Sequence, residues 1–230
     1  MKFVTTGDHS VTLYNEDVGD HYHSTSGAIE ESFQKFAIPA LEGKHGQKSV
    51  WILDICFGLG YNSLAAMHYL HQNNPNIDIW IVGLERDRAV LSASLTVPMV
   101  PLLREEYALV QEAARKASRR KRAVVEDEHV CIKLLVGDAR ESIHGLTRSF
   151  DVVFLDPFAP QKDPLLWQEA FMHDIYTVMK PGAVLTTYSC AGMVRRNLTA
   201  AGFTVSDGPR VGRRAPSTIA VKPASRRGKA

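Results

Sequence analysis

From Ser49 onward the apolar residues fall into short unbroken runs, at residues 50–55, 77–84, 130–136, 150–155 and 183–188. Each run has strand length and is too continuously apolar to keep a solvent face, so each predicts a buried strand covered on both sides, as in parallel sheets. Amphipathic stretches between them, at residues 61–71, 163–179 and 191–201, predict helices. Asp163-Pro164 gives the second of these an N-cap and an N1 proline, and Lys180-Pro181-Gly182 gives it a stop. Strands and helices in alternation predict an α/β fold around a mainly parallel sheet. Near the end, Phe203-Thr204-Val205 and residues 217–221 predict an antiparallel pair at one edge, which makes seven strands.

Two regions break this rhythm. Residues 1–48 hold a strand-like piece, Val11-Thr12-Leu13-Tyr14, and a helical candidate at residues 28–38, and predict an N-terminal extension packed on the core. Residues 101–129 carry Arg104-Glu105-Glu106, a basic run at 115–122 and Glu126-Asp127-Glu128, and predict a charged insertion, a surface helix and loop. The expected division is an extension (1–48), a core domain (49–223) with its insertion, and a disordered basic tail (224–230). A chain of 230 residues with 45% hydrophobic and 23% charged residues suits a single globular domain; it excludes disorder throughout, collagen and a disulfide scaffold. The 27 Lys and Arg against 25 Asp and Glu leave +2, which argues neither for nor against a nucleic-acid partner. Cys56, Cys131 and Cys190 form no CxxC and no ligand cluster, so neither a disulfide framework nor a metal site is expected. Without an apolar leader or a run of about 18 apolar residues, no membrane association is expected and a cytoplasmic location is.

Candidate chemistry gathers at the strand ends. The first strand ends in Asp54-Ile55-Cys56-Phe57-Gly58-Leu59-Gly60-Tyr61-Asn62, a turn into a helix where glycine lets backbone approach a ligand. A dinucleotide fingerprint places glycines as GxGxxG, but here the third position is Ser63. A turn opened by an acid and short of glycine suits a ligand without a pyrophosphate, such as S-adenosyl-L-methionine, with Asp54, Phe57, Gly58, Gly60 and Asn62 around it. Packing alone also uses glycine in such turns. Glu85, about 25 residues further on at the second strand end, can accept both hydroxyls of a ribose; Asp87 fits better as a helix N-cap. The third strand ends in Gly137-Asp138-Ala139, where Asp138 can accept from an adenine amino group. Three strand ends delivering glycine, acid and acid to one edge predict a nucleoside site there.

The fourth strand runs into Asp156-Pro157-Phe158-Ala159-Pro160. Two prolines keep this turn extended, so that Asp156 and the Pro157 carbonyl can face the crevice as acceptors. An amine about to be alkylated needs such acceptors, because only its neutral form has a lone pair to attack with. The arrangement resembles the Asp/Asn-Pro-Pro-aromatic loop of methyltransferases acting on nucleobase amines, and by that resemblance Phe158 would stack on a flipped base.

The chain as a whole resembles the methyltransferase domain of the MnmC family, which forms 5-methylaminomethyl-2-thiouridine in tRNA. The resemblance is carried by Thr12-Leu13-Tyr14, Tyr22-His23-Ser24, Gly27-Ala28 and Glu31-Ser32, by the glycine turn, by the Asp156 loop, by Leu166-Trp167, and by Thr187-Tyr188-Ser189 through Val194-Arg195-Arg196. It implies a Rossmann-like fold, S-adenosyl-L-methionine as cofactor, and methylation of 5-aminomethyluridine at the tRNA wobble position. Tyr22, His23, Ser24, Pro157, Phe158 and Tyr188 would then meet the nucleoside, with Asp156 catalytic; a hydrogen-bonded structural role is the competing reading of His23. Many bacterial members carry a fused FAD-dependent oxidase, for which 230 residues leave no room, so a separate oxidase or upstream tRNA-modifying enzyme is the expected partner. Two positions depart from the family: Cys56 stands where relatives have glycine, and Pro157 where they often have alanine. The competing functions are an aminopropyltransferase of the spermidine-synthase type and an RNA-binding module with a vestigial pocket. Arg195, Arg196, Arg210, Arg213 and Arg214 would gather positive charge near the same edge.

Overall fold

The computed structural model describes residues 1–224, so the basic tail lies, from residue 225 onward, outside the described residues. Strands β1 (Lys2–Thr5), β2 (Val11–Asn15) and β3 (Asp20–His21) form a small antiparallel sheet. A helical segment follows, in which α1 (Ala28–Glu31) passes through a π-helical stretch, Ser32–Ala37, into α2 (Ile38–Leu41). Pro39 closes this stretch and has no N–H for the carbonyl four residues back. The segment starts on the Asp8 carboxylate, which accepts from the Glu30 amide (2.9 Å). The N-terminal region packs on the core through Leu13, Phe36, Ala40 and Leu41, all fully buried.

The core alternates β4 (Ser49–Ile55), α3 (Tyr61–Asn73), β5 (Asp78–Glu85), α4 (Arg88–Ser94), α5 (Arg104–Ala117), β6 (Arg122–Glu126), β7 (Val130–Val136), α6 (Ala139–Ser142), β8 (Phe150–Leu155), α7 (Glu169–Val178), β9 (Met179–Thr187), α8 (Gly192–Ala200), β10 (Thr204–Asp207) and β11 (Thr218–Val221). The strands form one sheet in the order β10-β11-β9-β8-β4-β5-β7-β6. The five central strands are parallel, whereas β6 at one edge and the β11–β10 pair at the other are antiparallel. Alternation along each strand divides the core into two layers. Val50, Ile52, Ile79 and Ile81 meet α3, α5 and the N-terminal segment; Leu53, Ile55, Val82 and Leu84 meet α7 and α8. No helix among the described residues is long and apolar enough to cross a membrane.

The fold class is the expected one, with two differences in detail. The main sheet has eight strands rather than seven, because residues 101–129 are more than the expected surface helix and loop. They hold α5, whose Tyr107, Val110, Ala113, Ala114 and Ala117 are buried against the sheet, and the edge strand β6. The helix expected at residues 163–179 is broken: Pro164–Trp167 is a 3₁₀ turn, Gln168 is extended, and α7 starts afresh. Trp167, with no exposed surface, donates its indole N–H to the Phe158 carbonyl (2.8 Å), and this anchor holds the turn apart from α7.

Candidate active site

Because β5 and β8 flank β4, the loops leaving β4 and β8 part company at the carboxyl edge and open a crevice, the usual ligand position in such sheets. A cavity of about 350 Å³ lies there, within the ~300–1,000 Å³ of small-molecule sites. Its wall is built from four directions. The N-terminal region supplies Asp20, Tyr22, His23, Ser24, Glu31 and Lys35; the turn after β4 supplies Cys56 and Gly58; the end of β5 supplies Glu85, Arg86 and Asp87; and Asp156, Pro157, Phe158, Asp163, Tyr188 and Arg213 complete it. Six carboxylates among these outnumber the three cations Lys35, Arg86 and Arg213, which favours a positively charged ligand.

The turn after β4 is held by left-handed backbone at Cys56 (φ 66°), Gly58 (φ 56°) and Gly60 (φ 77°). Gly58 donates its N–H to Glu85 Oε2 (2.8 Å), and Asp87 donates its own to Oε1 (2.8 Å). Burial nevertheless pushes the Glu85 carboxyl above its ordinary value, with those amides opposing. Asp87 caps α4 by accepting from Ala89 N (2.7 Å), as expected, and also accepts from the Tyr22 hydroxyl (2.9 Å). Tyr22 thus ties the N-terminal region to the end of β5, with its ring packed edge-on against Phe158, centroids 5.0 Å apart.

At the other end lies Asp156. Its Oδ2 accepts from Asn62 Nδ2 (2.8 Å), and burial, with repulsion from Glu31 and Asp54, pushes its carboxyl well up. His23 Nδ1 stands 3.8 Å from the same oxygen, and the His23 ring stacks on Tyr61 at 5.1 Å. Both His23 ring nitrogens are buried without a hydrogen-bond partner, so the structural role that competed for this residue is not the one observed. Burial, against the pull of Glu31, lowers His23 to about 4 and keeps it neutral. The Pro157 carbonyl already accepts from the Tyr188 hydroxyl (2.9 Å). Ser24 donates its backbone N–H to Glu31 Oε2 (2.8 Å), and Lys35 Nζ binds Glu31 Oε1 (2.6 Å), a buried pair that joins the end of α1 to the π-helical stretch.

Six expected cofactor residues do not line this cavity. Phe57 packs into the core beneath Gly60, where a Cβ would stand 2.8 Å from the Phe57 ring and 2.4 Å from Val110; Gly60 therefore serves packing. Asp54 is fully buried, accepts from the Ser63 hydroxyl (2.6 Å) and is raised to about 7 by burial. Asn62 acts behind the wall, on Asp156. Asp138 and Ala139 line a neighbouring recess of about 30 Å³ that shares Cys56, Arg86 and Asp163 with the main cavity. The Arg86–Asp163 ion pair (3.0 Å) belongs to both walls, and Asp138 is engaged by Arg140. Asp20, Lys35, Arg86 and Asp163 are wall residues that the sequence did not single out for the site; Lys35, a charged residue inside a helical candidate, gave no signal that would have found it. Of the five arginines, Arg195 is a clip, bonded to Asp207 (2.6 Å), Thr218 and the Ser217 carbonyl, while Arg213 reaches the cavity rim and the Tyr188 carbonyl.

A family model described as S-adenosyl-L-methionine-dependent methyltransferase matches residues 103–223. An uncharacterized protein of Methanocaldococcus jannaschii is 34% identical over 95% of this chain and 59% of its own. The tRNA 5-methylaminomethyl-2-thiouridine biosynthesis bifunctional protein MnmC of Ralstonia nicotianae is 32% identical over 92% of this chain, which spans only 33% of that protein. Among solved structures, MnmC2 from Aquifex aeolicus superposes with a TM-score of 0.83 at 33% identity, over 97% of this chain and 70% of that one. The site suits the cationic cofactor such a family uses: a carboxylate-rich cavity, and a buried Glu85 held by backbone amides in its wall. Family match, relatives and fold agree, and this chain belongs to the S-adenosyl-L-methionine-dependent methyltransferases, in their MnmC-like branch.

Proposed function

We propose that this chain methylates the exocyclic amine of 5-aminomethyluridine, with or without the 2-thio group, at the tRNA wobble position. The observation that carries this reading is the buried end of the cavity, where Asp156 stands beside Phe158 and Tyr188, fed by an N-terminal wall with the Tyr22-His23-Ser24 block. When bound, S-adenosyl-L-methionine supplies an electrophilic methyl group on a sulfonium. Glu85, with lone pairs left on both oxygens, would hold the ribose; Gly58 would let the backbone come close; Asp138 and Ala139 would meet the adenine. Phe158 gives an extruded base a ring to stack on. The amine arrives as an ammonium and must lose a proton before it can attack. A buried carboxylate whose proton affinity is raised is suited to take it and to orient the neutral amine. Tyr188 keeps the Asp156–Pro157 turn in place by donating to the Pro157 carbonyl.

The partner reading follows from the same chemistry. The substrate amine must be made by another activity, such as an oxidative removal of a carboxymethyl group, acting on tRNA in the cytoplasm. A second reading, aminopropyl transfer to a polyamine, draws on the six carboxylates of the wall. The test is to incubate the protein with S-adenosyl-L-methionine and tRNA carrying 5-aminomethyluridine and to weigh the wobble nucleoside. A gain of one methyl is expected; no gain, with aminopropyl transfer from decarboxylated S-adenosylmethionine to putrescine instead, would establish the second reading.

A further inference from the structure

A neutral primary amine has two N–H bonds and one lone pair. If both N–H groups are held by fixed acceptors, the lone pair is left with one free direction, which is what an in-line transfer needs. The cavity offers Asp156 as one acceptor. The Pro157 carbonyl is a weaker second, because one of its two lone pairs already accepts from the Tyr188 hydroxyl. Among the described residues, the side chains with a buried and wholly unpartnered polar atom are His23, Asp54, Asn62, His71 and Ser217, and of these only His23 lines the cavity. A buried imidazole with neither nitrogen engaged leaves hydrogen-bonding capacity unmet, an expensive state that a ligand relieves. Its Nδ1 lies 3.8 Å from Asp156 Oδ2, so the two groups converge on one small volume. Stacking on Tyr61 fixes the plane of the ring.

We propose that His23 is the second hydrogen-bond acceptor for the substrate amine, and that the His23–Asp156 pair thereby limits the reaction to a single methyl transfer. This rests on the amine-methylating reading above. Neutrality at pH 7, which burial secures, leaves one ring nitrogen with a lone pair to accept with. In the transfer the amine nitrogen gives its lone pair to the methyl carbon. The carbon–sulfur bond breaks with its electron pair left on sulfur, and the resulting secondary ammonium releases one proton to the buffer. The product amine has only one N–H. Turned for a second attack, it satisfies one acceptor and presses its new methyl group on the other, leaving a buried acceptor unpaired.

Three proteins and two readouts test this. Wild type, His23→Phe and His23→Asn are each given S-adenosyl-L-methionine and an anticodon stem-loop carrying 5-aminomethyluridine, and the wobble nucleosides are separated by mass. Wild type is expected to stop at one methyl even with excess cofactor. His23→Phe keeps the ring on Tyr61 but removes the acceptor; the first transfer should slow by about tenfold or more, the size of one lost hydrogen bond to a buried group, and a dimethylamino product should appear. His23→Asn restores an acceptor near the Nδ1 position and should return to the monomethyl product. Independently, without cofactor, wild type should bind the aminomethyl stem-loop more tightly than the same RNA with plain uridine, and His23→Phe should lose that preference. Dimethylation by wild type, or a purely monomethyl product from His23→Phe with the binding preference intact, overturns the proposal. If His23→Phe does not fold, the wild-type product and the His23→Asn product decide it. A wild type that methylates nothing on this RNA overturns the amine-methylating reading itself, and His23 with it.

Discussion

Asp54 ends inside the protein with no exposed surface, one oxygen on the Ser63 hydroxyl and the other without a partner. Burial raises it to about 7, against about 3.9 in an unfolded chain. As pH climbs between these values the unfolded chain releases a proton that the folded one keeps. The folded state therefore loses stability across that window and is relatively best off below it. Asp54→Asn cannot ionise, so its stability relative to wild type should rise by on the order of 4 kcal/mol between pH 4 and pH 8. Urea denaturation at the two pH values measures this, and an offset independent of pH would show that Asp54 is ionised in the folded protein. The acids at strand ends were legible because a buried strand must deliver its last polar residue to the carboxyl edge. Glu85 and Asp156 lie in the wall for that reason, whereas Asp54 precedes its strand's end by one residue and points into the core. Phe57 and Gly60 lie outside the cavity wall; a motif identifies a turn without saying which way each side chain leaves it.

Elements were misjudged where charge masked periodicity. Buried Leu103, Tyr107, Val110, Ala113, Ala114 and Ala117 recur at helical spacing, and the apolar face of α5 was present in the sequence beneath its Arg and Glu residues. The π-helical stretch had no such signal, although it carries Lys35 into the cavity beside Glu31 at the end of α1. The link between β5 and the 3₁₀ turn after β8 was also silent, since Arg86 and Asp163 are 77 positions apart in sequence. This ion pair stands between the main cavity and the Asp138 recess. At about 30 Å³ the recess has room for a water or two and not for an adenine ring. If the base enters there the pair must part; Arg86 is exposed but Asp163 is buried, so the cost is about 1 kcal/mol, the upper end of the range for a surface pair. Arg86→Ala should accordingly tighten S-adenosyl-L-methionine binding by up to about fivefold in calorimetry. Weaker binding would mean that Arg86 holds the cofactor itself.

For the molecule as a whole, the +2 net charge conceals an uneven distribution. Carboxylates gather in the cavity, while part of the basic run is brought to the same edge from outside. Lys121 accepts from Val136 N (2.8 Å) through its carbonyl, and Arg122 lies opposite Leu135, so the exposed turn Arg119-Arg120-Lys121-Arg122 sits at the carboxyl end of β7. Arg115 and Lys116, by contrast, are paired with Glu112. Replacing the four turn residues by Ser should weaken tRNA binding and reduce its log–log salt slope by up to about 3, leaving cofactor affinity alone. An unchanged slope would make the turn an ordinary solvated surface. The central claim is that the Asp156 end of the cavity is where the amine is methylated, and it is tested most directly by the single-turnover rate of Asp156→Ala on 5-aminomethyluridine tRNA, read beside its affinity for S-adenosyl-L-methionine. The rate should fall by about a hundredfold or more with affinity kept within about threefold, because the lost interaction matters chiefly on the way to the transition state. A variant that methylates the wobble amine at the wild-type rate would contradict the account.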